Sequence, residues 1–366
     1  MSLSYLAHLR CPRCHAPLAE ASGALRCQGC EQHYPLMQNG AFPVLVPEPK
    51  PYLAENLTQF ARFGRERRGF AGMIDEALAA HPWRETTLRP LHSALLRNLE
   101  TTDSLGAEIA AQQSPEEHAA AGGEPHDPTS GQADYGPELL GFVQTDWSDA
   151  PEMAAQRATV MEKVGGMLDR FSSGGPALLL GGGAGRAYYD LAPRFERLMG
   201  CDLCYTYVSL YHRVQRAPVP LAEIHFPTIA TDVVATPFVA QRPAAAGERT
   251  HDAYFVADAT RLPVADASQR TVISIYFSDC VPFPALVREL HRVLEPNGTF
   301  VSYGPMIHRS VPPTGWFTPS EVMAIARQAG FECEFQEWSE LPFRESPHHG
   351  IRTTHRVWAY TLRKRG

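Results

Sequence analysis

Two sets of residues in this 366-residue chain have the types and spacing to do chemistry. The first is built on Gly181, Gly183 and Gly185, which follow the apolar run Ala177–Leu180 and precede a helical pattern carrying Tyr188, Leu191 and Ala192. A strand, a glycine turn and a helix present free backbone N–H groups to an anionic ligand group, and glycine alone lets the backbone approach that closely. Asp202 lies about twenty residues further on, where a carboxylate can accept hydrogen bonds from both hydroxyls of a ribose. Asp258, followed by Ala259, ends a second apolar run, Ala253–Ala257. The second set is Cys11, Cys14, Cys27 and Cys30, spaced C-x2-C-x12-C-x2-C. Two such knuckles place four thiolates tetrahedrally around one zinc ion, and a closed shell of that kind is structural.

The elements that must position these residues follow from hydrophobic periodicity. Ala177–Leu180, Arg197–Asp202, Ala253–Ala257, Thr271–Phe277 and Thr299–Tyr303 read as successive strands. The helix Phe283–Leu294, stopped by Glu295-Pro-Asn-Gly298, separates the last two, and Thr318-Pro-Ser-Glu321 has the form of a capping box for one more helix. Phe331–Trp338 and Arg356–Leu362 make a terminal antiparallel pair. Alternating strands and helices predict an α/β fold with a mainly parallel sheet, whose ligand crevice lies at the carboxyl ends of the strands. Those ends also carry Asp279 and His308, side chains able to hold or deprotonate a nucleophile. Residues 205–250 are long for a strand-to-strand connection and read either as substrate contacts or as surface decoration. Cys201 and Cys204 repeat the C-x2-C spacing without a matching pair, and are read as core and turn thiols.

Ahead of this unit the chain divides in two. Residues 1–50 hold the four cysteines and end in a proline-rich run, Pro47–Pro51. Residues 51–150 form a helical connector, with helical spacing from Tyr52 to Leu99, a break at His81-Pro82, and a stretch from about 101 to 134 poor in large apolar residues that reads as a flexible linker. The remaining unit, 151–366, opens with a helix from about Glu152 to Phe171. Hydrophobic content of 44% and charged content of 20% are those of a globular protein. The net charge of −7 argues against a large nucleic-acid footprint. Nothing approaches a membrane span of roughly twenty apolar residues. The cysteine spacing and the lack of room for a secretory leader before Cys11 predict a reduced, cytoplasmic protein.

The glycine loop departs from the dinucleotide fingerprint G-x-G-x-x-G/A, because Arg186 stands where the last small residue belongs. It resembles instead the G-x-G-x-G loop of class I S-adenosylmethionine methyltransferases. That resemblance is joined by Asp258-Ala-Thr-Arg-Leu-Pro263 and by a helix ending in Leu-x-Pro-x-Gly before a strand. It implies a Rossmann-like sheet of seven strands with the last antiparallel, and S-adenosylmethionine as cofactor. Asp202 would then meet the ribose, Asp258 and the Ala259 N–H the adenine, and Arg186 the cofactor carboxylate. Residues 8–48, with Cys-Pro-x-Cys, Tyr34-Pro35, Asn39-Gly40 and Pro43-Val-Leu-Val-Pro47, resemble the Trm112-like zinc ribbon, whose members bind methyltransferase domains. Fused in cis, it is expected to pack on the core intramolecularly.

Short stretches over about 140–364 also resemble the carnosine N-methyltransferase-like family: Thr145-Asp-Trp-Ser148, His225-Phe-Pro227, Tyr276-Phe-Ser-Asp279 and Tyr303-Gly-Pro-Met-Ile-His308. The resemblance implies that Asp279 helps hold the substrate. His308 sits one residue nearer the glycine than the family's histidine. Thr353-Thr-His355 replaces a tyrosine cluster, which makes His355 a third pocket candidate and points away from carnosine itself. The expected activity is methyl transfer to a small molecule or short peptide, an imidazole or amine nitrogen being the candidate acceptor. The alternatives are an rRNA or tRNA methyltransferase with a zinc-binding module, and a catalytically silent activator subunit.

Overall fold

The computed structural model describes residues 5–112, 140–172, 174–243, 253–308 and 311–366. Strands β1 (Leu18–Ala21), β2 (Ala24–Cys27), β3 (His33–Met37) and β4 (Phe42–Leu45) come first. Helices α1 (Pro49–Ala80) and α2 (Glu85–Ala110) follow, then α3 (Leu140–Trp147) and α4 (Pro151–Phe171). The α/β unit runs β5 (Pro176–Leu180), α5 (Arg186–Leu191), β6 (Arg197–Asp202), α6 (Tyr205–Arg216), β7 (Val219–Ile224), β8 (Ala235–Ala240), β9 (Ala253–Ala257) and β10 (Gln269–Ile275). It closes with α7 (Phe283–Val293), β11 (Leu294–Gly304), α8 (Pro319–Gln328), β12 (Phe331–Phe343) and β13 (Thr353–Lys364).

Ala177, Leu178, Leu179 and Leu180 are wholly buried because β5 is central, pairing in parallel with β6 on one side and β10 on the other. A strand covered on both faces reads as a continuous apolar run, which is how these four residues appear in the sequence. The order β9-β6-β5-β10-β11-β13-β12 gives the seven strands expected, with β13 antiparallel to both neighbours. The terminal pair is longer than Phe331–Trp338 with Arg356–Leu362, and its register sets Leu341 opposite His355 and Phe343 opposite Thr353. Thr318 and Glu321 form the reciprocal capping box at α8. Gly298 lies within β11, which begins at Leu294 rather than at Thr299.

The sheet does not stop at seven strands. β4 pairs in parallel with β9, Val44 beside Val256 and Leu45 beside Ala257, so β1 to β4 continue it to eleven. Phe42 is fully buried and stacks on the His212 ring, centroids 4.9 Å apart. Leu9, Leu25, Tyr34 and Phe42 belong to the same buried cluster as β5, β9 and β10. The ribbon and the α/β unit therefore share one hydrophobic core.

Two expectations about the connector are corrected. Pro49 and Pro51 do not end the ribbon in a loop; Pro49 takes the first turn of α1, where a missing N–H costs nothing. The linker expected over 101–134 does not begin at 101. α2 continues to Ala110, because Thr102, Leu105, Gly106 and Ile109 recur at helical spacing and are buried. Residues 113–139, which hold the rest of that stretch, lie outside the described residues. The break at His81-Pro82 is where α1 ends. Residues 205–243 form α6 and the β7–β8 hairpin, which α1 and α2 cover. Tyr52 donates to the Leu203 carbonyl at 2.6 Å, Arg213 pairs with Glu108 at 2.5 Å, and the Asn98 amide bonds both backbone groups of Ala222.

Candidate functional site

The turn after β5 needs its glycines for two different reasons. Gly181 has φ +58°, and a Cβ there would fall 2.1 Å from the Phe277 ring. Gly185 has φ +85° and caps α5; a Cβ there would fall 2.3 Å from the Tyr211 ring. The loop is pinned by the Tyr254 hydroxyl, which donates to the Gly183 carbonyl at 2.7 Å, and by Trp147 Nε1, which donates to Ala184 at 2.7 Å. Helix α5 has only six residues, so its dipole is small, and anion affinity at this turn would come from the loop N–H groups themselves.

Four of the expected binding residues meet in one pocket, which Gly181, Asp202, Asp258 and Ala259 line together with the apolar walls Phe277 and Val281. Asp202 ends β6. Its Oδ2 accepts the Gly183 N–H and its Oδ1 the Cys204 N–H, both at 2.8 Å. Burial raises the Asp202 carboxyl to about 6, the N–H groups of Cys204, Gly183 and Leu203 holding it back from going higher. Asp258 directly follows β9, and its Oδ1 accepts both the Thr260 N–H and the Thr260 hydroxyl. Two acids at neighbouring strand ends, a glycine turn and an apolar slot between Phe277 and Val281 fit a nucleoside: the ribose at Asp202, the base between the walls. Cys201 and Cys204 are buried, and burial pushes both thiols up, which suits the core and turn roles expected of them.

Arg186 makes contacts of its own. Its Nε bonds both oxygens of Asp190 at 2.9 Å, its Nη1 reaches the Asp146 carbonyl at 3.3 Å, and its guanidinium lies over Trp147 at 5.5 Å. Asp146 is a residue that sequence reasoning did not single out. Its Oδ2 accepts the Arg186 N–H at 3.5 Å and lies beside Gly183. Loss of water around this carboxyl raises it to about 7, against the Arg186 N–H and the charges of Arg157 and Arg186. A lone acid in a polar stretch gives no periodic signal, so only Thr145-Asp-Trp-Ser148 as a whole marked the place.

On the other side of β10, Asp279 is buried and its Oδ2 accepts the N–H groups of Ile307 at 2.7 Å and His308 at 3.4 Å. The carboxylate thus ties the end of β10 to the segment after β11. His308 adopts φ +54° and its Nε2 lies 3.1 Å from the Phe317 carbonyl, which leaves Nδ1 as the acceptor of a neutral ring. Tyr276, at φ +56°, is the other left-handed non-glycine residue here. Left-handed conformations at such residues cost energy and gather at functional sites. His355 lies in β13 and belongs to a group of aromatic rings. It stacks on Phe343 with centroids 4.0 Å apart, and Tyr276 packs against both, stacked on Phe343 at 5.7 Å and tilted to His355 at 6.0 Å. Asp279 and Asp202 both bear on the intervening Cys280 thiol, whose value burial raises first and these charges raise further. Phe277 and Val281 flank Asp279 in the chain and line the pocket, so Asp279 and the pocket are neighbours.

At the other end of the sheet, the sulfurs of Cys11, Cys14, Cys27 and Cys30 all lie within 4.8 Å of one another. Cys11 and Cys30 approach to 3.6 Å and Cys14 and Cys27 to 3.4 Å, near the roughly 3.8 Å edge of a zinc tetrahedron with 2.3 Å bonds. Burial raises the Cys27 thiol, but the N–H groups of Cys30 and Gly29 and the Cys14 and Cys11 side chains together bring it down to about 7. The set fits a four-thiolate metal centre.

Comparison with known proteins bears on the α/β unit. Residues 178–302 match the family model described as "Methyltransferase domain". No curated protein matches the chain in sequence. Among solved structures, the chain is similar to the PH0226 protein of Pyrococcus horikoshii, at 15% identity and a TM-score of 0.40 over 61% of this chain and 96% of that one. It is also similar to a SAM-dependent methyltransferase of Methanosarcina mazei, at 15% identity and a TM-score of 0.39 over 54% and 97%. A third is magnesium protoporphyrin IX methyltransferase of Synechocystis with bound SAM, at 14% identity and a TM-score of 0.37 over 61% and 84%. Among the described residues no helix is long and apolar enough to cross a membrane. Over residues 178–302, which hold the glycine turn and both acidic strand ends, the chain carries a methyltransferase domain of α/β, Rossmann-like fold.

Proposed function

We propose that this protein transfers a methyl group from S-adenosylmethionine to a nitrogen of a small molecule or short peptide, an imidazole or amine being the acceptor. One observation carries the reading. Past the pocket-lining end of β10 the chain carries Tyr276, which packs with the Phe343 and His355 rings, and three residues later Asp279, whose carboxylate accepts the Ile307 and His308 N–H groups. Stacked rings and an acid suit a flat or cationic nitrogen guest. Bound S-adenosylmethionine supplies an electrophilic methyl on a sulfonium.

This chain's residues do the rest by alignment. Asp202 holds the ribose, Asp258 and the Ala259 N–H the adenine, and Gly181, Gly183 and Gly185 give the cofactor chain access to the backbone, with Arg186 and Asp146 at its amino-acid end. Asp279 fixes the Ile307–His308 segment and with it the His308 ring. His308 Nδ1 is positioned to accept a proton from the acceptor nitrogen. His355 forms part of the ring wall. The resemblance of 140–364 to the carnosine N-methyltransferase-like family supports an imidazole-type acceptor. On the same reading Cys11, Cys14, Cys27 and Cys30 hold a structural zinc in a Trm112-like ribbon serving the domain in cis, supported by the pairing of β4 with β9.

The test is to incubate the zinc-loaded protein with labelled methyl donor and fractionated cell extract, then to identify the labelled product by mass spectrometry. Label in the low-molecular-mass fraction is expected. Label entering RNA would replace this reading by an RNA methyltransferase. Cofactor binding with no label in any pool would make the protein a silent activator.

A further inference from the structure

Glu223, His225 and His349 form a second cluster, unused by the reading above and built from distant parts of the chain. Glu223 is in β7 and His225 lies one residue beyond it, whereas His349 belongs to the connection between β12 and β13. One ligand atom from each, and all pairs among them, lie within 4.8 Å. His349 Nε2 is 3.4 Å from Glu223 Oε1, and His225 Nδ1 is 3.8 Å from Glu223 Oε2. The His225 side chain is fully buried and those of Glu223 and His349 are 6% and 18% exposed.

The hydrogen bonds around the cluster leave one of its nitrogens unpartnered, and the charge of Arg344 also acts on Glu223. His225 Nε2 lies 2.8 Å from the Thr236 hydroxyl, and with its proton there Nδ1 is a bare lone pair. That atom has no hydrogen-bond partner among the described residues, and it faces a carboxylate. A proton on Nδ1 would not join them, since 3.8 Å is beyond hydrogen-bond range. Gln144 donates to Glu223 Oε2 at 2.5 Å, the oxygen nearest His225, and orients the carboxylate, as outer partners of metal ligands do. Two ligand atoms bound at 2.0–2.1 Å to a tetrahedral zinc ion stand roughly 3.4 Å apart. The observed separations are close to that. Two imidazole nitrogens and one carboxylate suit zinc-type ions better than magnesium or calcium, which take oxygen ligands.

We propose that Glu223, His225 and His349 bind a divalent transition-metal ion of the zinc class, at a site separate from the four cysteines, with a fourth position left for water. The ion clips the β7–β8 hairpin to the β12–β13 connection. These two segments already touch through the Ile229–His349 bridge, the Ala230 N–H on His348 and the Gly350 N–H on Thr228. Through Gln144 the clip also reaches α3, the helix that carries Asp146 and Trp147 to the glycine turn.

The test uses the full-length protein, stripped with a chelator and reloaded with zinc or cobalt(II). Metal analysis should give two equivalents per chain, falling to one in both Glu223→Gln and His349→Gln, each verified as folded by circular dichroism. The cobalt form should show a thiolate charge-transfer band from the cysteines, plus a second set of d–d bands without charge transfer that both variants lose. Stripping should speed amide exchange over 225–234 and 344–350 by about tenfold or more. One equivalent in the unaltered protein, with thiolate bands alone, would overturn the proposal, and so would two equivalents retained in the folded variants. Should both variants fail to fold, the unaltered protein's stoichiometry and spectrum decide.

Discussion

Titrating the protein with S-adenosylhomocysteine across about pH 5 to 8 should show affinity that weakens as the pH falls below about 6, and Asp202→Asn should remove that dependence. Burial raises the Asp202 carboxyl from the ordinary carboxylate range to about 6. A displacement of that size corresponds to roughly 3 kcal/mol held against the charged form. The sign follows from linkage. Between its unfolded value and about 6 the native protein holds more protons here than the unfolded chain, so ionisation lowers the stability of the ligand-free fold as the pH rises through that window. Binding runs the other way, because ribose hydroxyls donate to the carboxylate and favour its charged form. Below about 6 the proton must first be removed, and affinity drops by up to about tenfold per pH unit. Hydrogen bonds to a charged group contribute about 1.5–3 kcal/mol each, so Asp202→Asn should weaken binding at pH 8 by roughly a hundredfold. Asp146, raised to about 7, titrates nearby and needs its own control: Asp146→Asn should keep the inflection near 6. Calorimetry reads all three proteins. An unaltered protein with flat affinity over this range, or an Asp202→Asn variant that keeps the slope, would refute the reasoning.

Three further outcomes follow from the same geometry. Phe42→Ala removes a fully buried ring stacked on His212 and should cost about 3–5 kcal/mol in one cooperative urea transition; a ribbon melting apart from an unchanged α/β unit would contradict the shared core. Gly185→Ala meets both φ +85° and the Tyr211 ring at 2.3 Å, and should lose more than about 2 kcal/mol by the same assay; unchanged stability would mean that the loop relaxes freely. Asp279→Asn keeps one oxygen for the Ile307 N–H, so S-adenosylhomocysteine affinity should stay within about twofold while methyl transfer falls at least about tenfold. An unchanged rate would remove Asp279 from the acceptor side.

What could be read in advance depended on how local the signal was. Ala177–Leu180 is legible because a strand buried on both faces must be apolar throughout, and the four cysteines are legible because their two C-x2-C pairs form a local pattern that the fold brings together. Gly181, Asp202, Asp258 and Ala259 share a pocket because each ends a strand or follows one in a parallel sheet. The continuation of that sheet through β4 is different. Phe42–Leu45 is four residues long with Pro43 inside it, and its partner β9 lies about two hundred residues later, where no periodicity can point. α2 hid its last turns because Thr102 and Gly106 carry its buried face as well as Leu105 and Ile109. Asp146, Glu223 and His349 could not be assigned a role for a related reason: none sits in a spaced ligand motif, and the partners of each come from distant parts of the chain. The left-handed backbone at Tyr276 and His308 is likewise a product of tertiary contacts, the Tyr276 N–H on Tyr303 and the His308 N–H on Asp279.

Equilibrium dialysis of the folded, zinc-loaded protein against tritiated S-adenosylmethionine bears most directly on the pocket formed by the glycine turn and the two acidic strand ends. One equivalent bound per chain, displaced by S-adenosylhomocysteine and absent in Asp202→Ala, is the predicted result. No retained label on protein that circular dichroism shows to be folded would contradict the account.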